Sequence, residues 1–213
     1  MPSPAAVPVP AFAGAVLCGG ASRRMGRDKA LIALDGRALA VRVAEAVAAA
    51  GASGVVAVGG DLDGLRSAGL AAVPDRDGPG AGPLAGILTA LTPDDRAPVR
   101  PPGDSGEAGA EGIVFVASCD LVTPSAAAIA ATVRALSARP DGDVAVPVVA
   151  SRRQWMHAAW RRRAATPLTT AFSAGERAVH AAVAAAGLRV VDVDVDAAAV
   201  ADADRPADLP SGA

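Results

Sequence analysis

The chain has 213 residues, a formal net charge of −2 and 52% hydrophobic residues, but only 2% aromatic ones. Such a length buries one sizeable core without disulfides or a structural metal, and no charge-free apolar run reaches the roughly eighteen residues that a membrane helix needs. Two Trp, three Phe and no Tyr leave no stacking platform for single-stranded nucleic acid, and near-neutrality excludes a general polyanion binder.

Residues 1–11 contain four prolines and no basic start, which predicts a flexible leader instead of a secretory signal and places the protein in the cytoplasm. Phe12 to Cys18 are small or apolar without polar alternation, as in a parallel strand covered on both faces. Gly19 and Gly20 end that strand, and Arg23, Arg24, Arg27 and Lys29 follow. Glycines bring backbone N–H groups close to an incoming group, and the cations attract an anion, so the loop reads as a phosphate site. Leu39, Val43 and Val47 recur at helical spacing and Gly51 stops the helix. Residues 54–60 form a second strand, a short helical piece runs to Gly69, and a third strand ends on Asp75.

Pro83 opens a helix that runs to Leu91, at a position where its missing N–H does no harm. Residues 92–112, rich in proline, glycine and charge, read as a mobile surface insertion. A fourth strand ends at Cys119 and Asp120; a helix over 124–138 and a fifth strand over 143–149 come next. Beyond Ala150 the pattern weakens: a strand over 153–163 carrying Trp155 and Trp160, a helix over 175–187, a late strand over 188–195 and a tail at 210–213. Cys18 and Cys119 are expected as small buried side chains at strand ends, since two cysteines make neither a disulfide framework nor a zinc site. Alternating strands and helices imply an α/β fold, a single domain over 12–209 with three Rossmann-like layers and a mostly parallel central sheet.

In open α/β sheets ligands bind beyond the carboxyl ends of the strands. The loop from Gly19 to Lys29 is neither a Walker A motif nor a dinucleotide fingerprint. Asp75 and Asp120 each end a strand and face the same crevice, offering hard oxygen to Mg²⁺; capping a helix near Pro124 is the plain alternative for Asp120, and turn formation for Asp75. The glycines of the stretch from Gly78, with Gly82 and Pro83, allow close approach of a base or ribose. Trp155 and Trp160 fit a half-buried strand better than a ligand platform. Arg161, Arg162 and Arg163 are expected at a solvated edge, with a substrate phosphate as the alternative. His157 and His180 show no partner pattern and receive no catalytic role.

The loop LCGGASRRMGRDKAL, the PD at 74–75 followed by GPLAGI, and the CD at 119–120 resemble the molybdenum cofactor guanylyltransferase family, within the wider nucleotidyltransferases with a Rossmann-like sheet. The resemblance runs from about Ala13 to Leu209 and is strongest in the first 125 residues. It implies transfer of GMP from GTP to the terminal phosphate of the molybdopterin cofactor, with release of pyrophosphate and use of Mg²⁺. It further implies nucleotide contacts from Leu17, Cys18, Gly19 and Asp75, phosphate binding by Lys29 and metal binding by Asp120; the loop chemistry above adds Gly20, Gly82 and Pro83 as nucleotide contacts and Arg23, beside Lys29 and Asp120, as charge that stabilises the reaction. GTP and molybdopterin, with molybdoenzyme chaperones, are the implied partners.

The chain departs from the family pattern in places. Cys18 replaces an alanine, Val122 a proline, and the usual asparagine after the second strand is missing. The late motif commonly written N-x-N-x-P reads Asp202, Ala203, Asp204, Arg205, Pro206, closer to cytidylyltransferase relatives. A CTP-dependent transferase, a relative with another phosphorylated acceptor, and a non-catalytic nucleotide-binding module are therefore the alternatives.

Overall fold

Strands of small and branched apolar residues can be covered on both faces, and the centre of this chain is built from them. A computed structural model describes residues 8–19, 28–92 and 112–203. Strand β1 (Phe12–Leu17) is buried throughout, and a hairpin of β2 (Ala33–Leu34) and β3 (Arg37–Ala38) leads into helix α1 (Leu39–Ala49). Then come β4 (Val55–Val58), α2 (Leu62–Ser67), β5 (Ala71–Val73), α3 (Pro83–Leu91), β6 (Ile113–Ser118) and α4 (Ala126–Ser137). The later part adds β7 (Val144–Val149), β8 (Arg152–Arg153), β9 (His157–Arg161), α5 (Ala165–Ser173), α6 (Val179–Ala185) and β10 (Val190–Asp194).

The main sheet runs β10-β7-β9-β6-β1-β4-β5, with β8 appended to β7. β1 is parallel to both β4 and β6, β4 to β5, and β7 to β10. β9 lies antiparallel between β6 and β7, and β8 is antiparallel to β7. One face packs against α1, α2 and α4 through Phe12, Val16, Val43, Leu65 and Val133; the other packs against α3, α5 and α6 through Leu17, Ile87, Trp160 and Leu168. A Cβ on Gly14 would meet Val47 Cγ1 at 2.4 Å, so α1 lies directly on the β1 backbone. The α/β class, the three layers and the mostly parallel sheet are those the sequence predicts. No helix among the described residues is long and apolar enough to cross a membrane.

Three features differ from expectation. The strand expected over 153–163 is divided: β8 and β9 both pair with β7, but the register slips by three residues across Gln154–Met156, where the chain turns to pair with β6 as well. Trp155 sits in that turn, ahead of β9. Helix α5 was not expected, because threonines and Pro167 lower helix propensity; Pro167 falls in the first turn, where no N–H is needed. The β2–β3 hairpin turns on Asp35 and Gly36, both at positive φ, an Asp-Gly signal present in the sequence. Residues 1–7 of the expected leader, 93–111 of the insertion and the whole tail lie outside the described residues.

Candidate functional site

The ends of β1, β4 and β5 are laced together where they leave the core. Cys18 and Gly19 both donate their N–H groups to the Val58 carbonyl, at 2.8 and 3.1 Å, and Gly59 donates to Val73. Gly59 has φ +73°, and a Cβ there would lie 3.0 Å from Gly19 Cα, so only glycine lets the two strand ends pass this closely. The expectation that Gly19 offers its N–H to phosphate is thereby corrected: Val58 takes that donor, and Gly19 contributes an exposed backbone with no side chain. Asp75 closes the same bay. Its Oδ1 accepts from the Thr89 hydroxyl and the Asp77 N–H, each at 3.3 Å, while Oδ2 lies 3.9 Å from where a Gly19 Cβ would stand. Burial pushes the Asp75 carboxyl above the usual carboxylate range, and those two hydrogen bonds oppose the shift. Thr89 belongs to α3, whose exposed amino end carries Gly82 and Pro83.

A second pair of elements brings opposite charges together. Asp28 caps a single 3₁₀ turn over Lys29–Leu31 by accepting from Ala30 N–H through Oδ1, and its Oδ2 accepts from Asp61 N–H at 2.7 Å. One carboxylate thus fastens the turn to the loop after β4. From that turn Lys29 Nζ reaches 2.5 Å from Oδ2 of Asp120, just past β6, and the Ser118 hydroxyl donates to Asp120 Oδ1. The Lys29 and Asp120 side chains are only 15% and 13% exposed, so water screens their attraction less than at a surface pair. Asp120 does not cap α4; Ser125 does, accepting from Ala128 N–H.

The chain returns to this point late. Val122 N–H donates to Ala201 and Ala203 N–H to Asp120, both at 3.0 Å, around a bridge between Leu121 and Asp202. Asp202 Oδ1 lies 3.0 Å from Nε2 of the buried His157. The sequence assigns His157 no partner, yet antiparallel β9 sets it opposite Ala117, near the carboxyl end of β6.

The structure gathers Leu17, Cys18, Gly19, Lys29, Asp75 and Asp120 at one edge of the sheet. Gly20, Arg23, Arg24, Arg27 and Asp204 lie outside the described residues. Cys18 and Cys119 are buried free thiols, and the Cys18 Sγ donates to the Val16 carbonyl; the neighbouring Cys18 thiol and burial hold the Cys119 thiol well above its ordinary range. Trp160 is core, with Trp155 packed 6.4 Å away, ring centre to ring centre. Arg161 and Arg162 are neither a solvated edge nor near the crevice: both are buried, at the opposite end of β9. Asp28, Ser118, Thr89 and His157 were missed. Only Asp28 carried a local signal, an Asx residue directly before a helical turn.

Residues 14–205 match the family model of the MobA-like NTP transferase domain. The molybdenum cofactor guanylyltransferase of Rhodobacter capsulatus is 45% identical over 82 residues, 38% of this chain and 42% of that protein. The chain thus matches about two-fifths of the length of the curated relatives. The crystal structure of molybdopterin-guanine dinucleotide biosynthesis protein A from Archaeoglobus fulgidus superposes with a TM-score of 0.64 at 22% identity, covering 93% of this chain and 95% of that one. The 2-C-methyl-D-erythritol 4-phosphate cytidylyltransferase of Thermus thermophilus gives 0.61 at 17% identity, with 92% and 94% covered. At those identities the two structures bear on the fold alone.

Proposed function

The chain belongs to the MobA-like NTP transferase family, and from that premise we propose that it transfers GMP from GTP to the terminal phosphate of the molybdopterin cofactor, releasing pyrophosphate. Such a transfer needs no covalent nucleophile on the protein. The acceptor phosphate oxygen is already an anion and attacks the α-phosphorus in line, so the protein's tasks are alignment and neutralisation of the charge that builds on the leaving pyrophosphate. The observation that carries the reading is the meeting of Lys29 and Asp120 at the end of the sheet where Gly19 and Gly59 bring the backbones after β1 and β4 together. Lys29 exchanges a carboxylate oxygen for phosphate oxygens, both charge-assisted contacts. Arg23 and the backbone at Gly20 are further phosphate contacts on this reading.

Mg²⁺ suits these donors. Among the described residues no group of three or more His, Cys, Asp or Glu side chains makes a metal cage. Asp120 supplies a hard carboxylate, and an ion held by one or two carboxylates plus substrate phosphates is the ordinary arrangement at nucleotide sites. When bound, Mg²⁺ supplies positive charge to the phosphates. Asp120 holds its carboxylate in place through the Ser118 hydroxyl.

Asp75 favours guanine as the base. Its Oδ2 faces the bay and accepts only, and guanine presents two adjacent N–H donors on one edge where cytosine presents a single amino group. Loss of such a hydrogen bond costs about 1–3 kcal/mol, so kcat/KM for GTP should exceed that for CTP by about tenfold or more. Pyrophosphate release by the purified chain with molybdopterin, Mg²⁺ and either nucleotide measures this. Equal use of the two, or a preference for CTP, would move the assignment to a cytidylyltransferase. Nucleotide binding without transfer to any acceptor would make the chain a non-catalytic module.

A further inference from the structure

We propose that His157 is a positioning residue: through its hydrogen bond to Asp202 it latches residues 201–203 onto the chain at 120–122, and thereby fixes the Asp120 carboxylate opposite Lys29. The catalytic half of this inference rests on the function proposed above; the latch itself does not.

The strap at 201–203 has little backbone support of its own. Among the described residues it makes one bridge, Leu121 with Asp202, and two backbone hydrogen bonds, Val122 N–H to Ala201 and Ala203 N–H to Asp120. A ladder that short is marginal in water without side-chain anchors. Val200 just before it and Ala203 within it are buried and hold it down through apolar contact. The directional contact is His157 Nε2 to Asp202 Oδ1 at 3.0 Å. His157 is 2% exposed, and its other ring nitrogen, Nδ1, is buried with no hydrogen-bond partner among the described residues.

That orphan fixes the direction of the bond. A buried N–H without an acceptor is the costlier way to leave Nδ1, so the ring carries its proton on Nε2 and donates to the Asp202 carboxylate. His157 is in turn held by β9, where it pairs with Ala117 three residues before Asp120. A rigid strand thus carries the donor, the strap carries the acceptor, and the strap's Ala203 N–H reaches the carbonyl of Asp120 itself. Releasing Asp202 frees the residues that set the Asp120 backbone, and a misplacement of about 1 Å in a charged group at a reacting centre costs rate more than binding.

The test compares wild type with His157→Leu, which keeps an apolar filling but donates nothing, and His157→Gln, whose amide places a donor where Nε2 stood. Amide hydrogen exchange at Val122 and Ala203 should speed up by about tenfold or more in His157→Leu, with the β6 amides from Val114 to Ala117 as slow as in wild type, and return toward wild type in His157→Gln. In GTP transfer, His157→Leu should lower kcat about tenfold with KM for GTP within about twofold, again restored by Gln. If His157→Leu does not fold, Asp202→Ala removes the acceptor from the exposed side and must give the same exchange pattern. Unchanged exchange at Val122 and Ala203 in both variants overturns the latch. Faster exchange with unchanged kcat overturns the positioning role. A wild-type chain that transfers no nucleotide overturns the proposed function, while the exchange comparison still decides the latch.

Discussion

Lys29 and the three consecutive arginines at 161–163 sit at opposite edges of one sheet and differ in what they bond. At the carboxyl edge Lys29 meets the Asp120 carboxylate, both side chains largely shielded from water. At the amino edge Arg161 donates to the carbonyls of Gly142 and Leu136, at 3.1 and 3.2 Å, Arg162 donates to Leu91, and Arg163 pairs with Asp143. Leu136 and Leu91 lie in the last turns of α4 and α3, whose final carbonyls have no partner within their helices. The arginines thus complete the scaffold, and on the proposed function the lysine serves the nucleotide phosphates. Lys29 opens a helical turn and the arginines end a strand; strand direction separates where they sit, because β9 runs against its neighbours and carries its last residues away from the carboxyl ends of the parallel strands.

That contrast can be broken most sharply at Lys29. Lys29→Ala should lower transfer by two or more powers of ten, as loss of a group that neutralises transition-state charge does, and shift Tm by less than about 3 °C. An equal loss of stability would make Lys29 a scaffold residue like the arginines. Arg161→Ala should do the reverse. It removes several charge-assisted hydrogen bonds inside the protein and empties the space the buried side chain filled, at about 3 kcal/mol, which corresponds to a Tm lower by roughly 6–12 °C, with kcat of the folded fraction within about twofold of wild type. A kcat lowered in step with Tm would bring the amino edge into the catalytic account.

The smallest effect is expected at Asp75, which belongs to both accounts. Burial raises its pKa in the folded protein, so the charged form costs stability at pH values above that raised pKa, and the cost fades as pH falls through it toward the ordinary carboxylate range. Asp75→Asn should therefore raise Tm by about 1 °C at pH 7 and by less at pH 4, within the range of ordinary substitutions, while it weakens GTP binding relative to CTP. Thermal melts at the two pH values and competition binding with the two nucleotides check both statements. A fall in Tm at pH 7 would show that the hydrogen bonds to Thr89 and Asp77 outweigh desolvation.

Much of the fold was legible in local pattern. Phe12 to Leu17 and Ile113 to Ser118 are apolar without alternation, so they had to be covered on both faces; Gly51, Pro83 and Asp120 mark ends whose physics involves only a few neighbouring residues. That Gly19, Lys29, Asp75 and Asp120 would come together was legible because each follows a strand or sits on the loop between a strand and the next helix, at the end of a parallel sheet where such residues converge. Tertiary structure alone decided the rest. That Val58 takes the Gly19 N–H, that Ser118 and Asp28 orient the charged pair, and that His157 meets Asp202 across 45 positions of chain are consequences of which strands become neighbours and which way each runs. A side chain's type limits what it can bond, but its partner is set by strand pairing and direction, which depend on contacts summed over the whole sheet and leave no mark at a single residue.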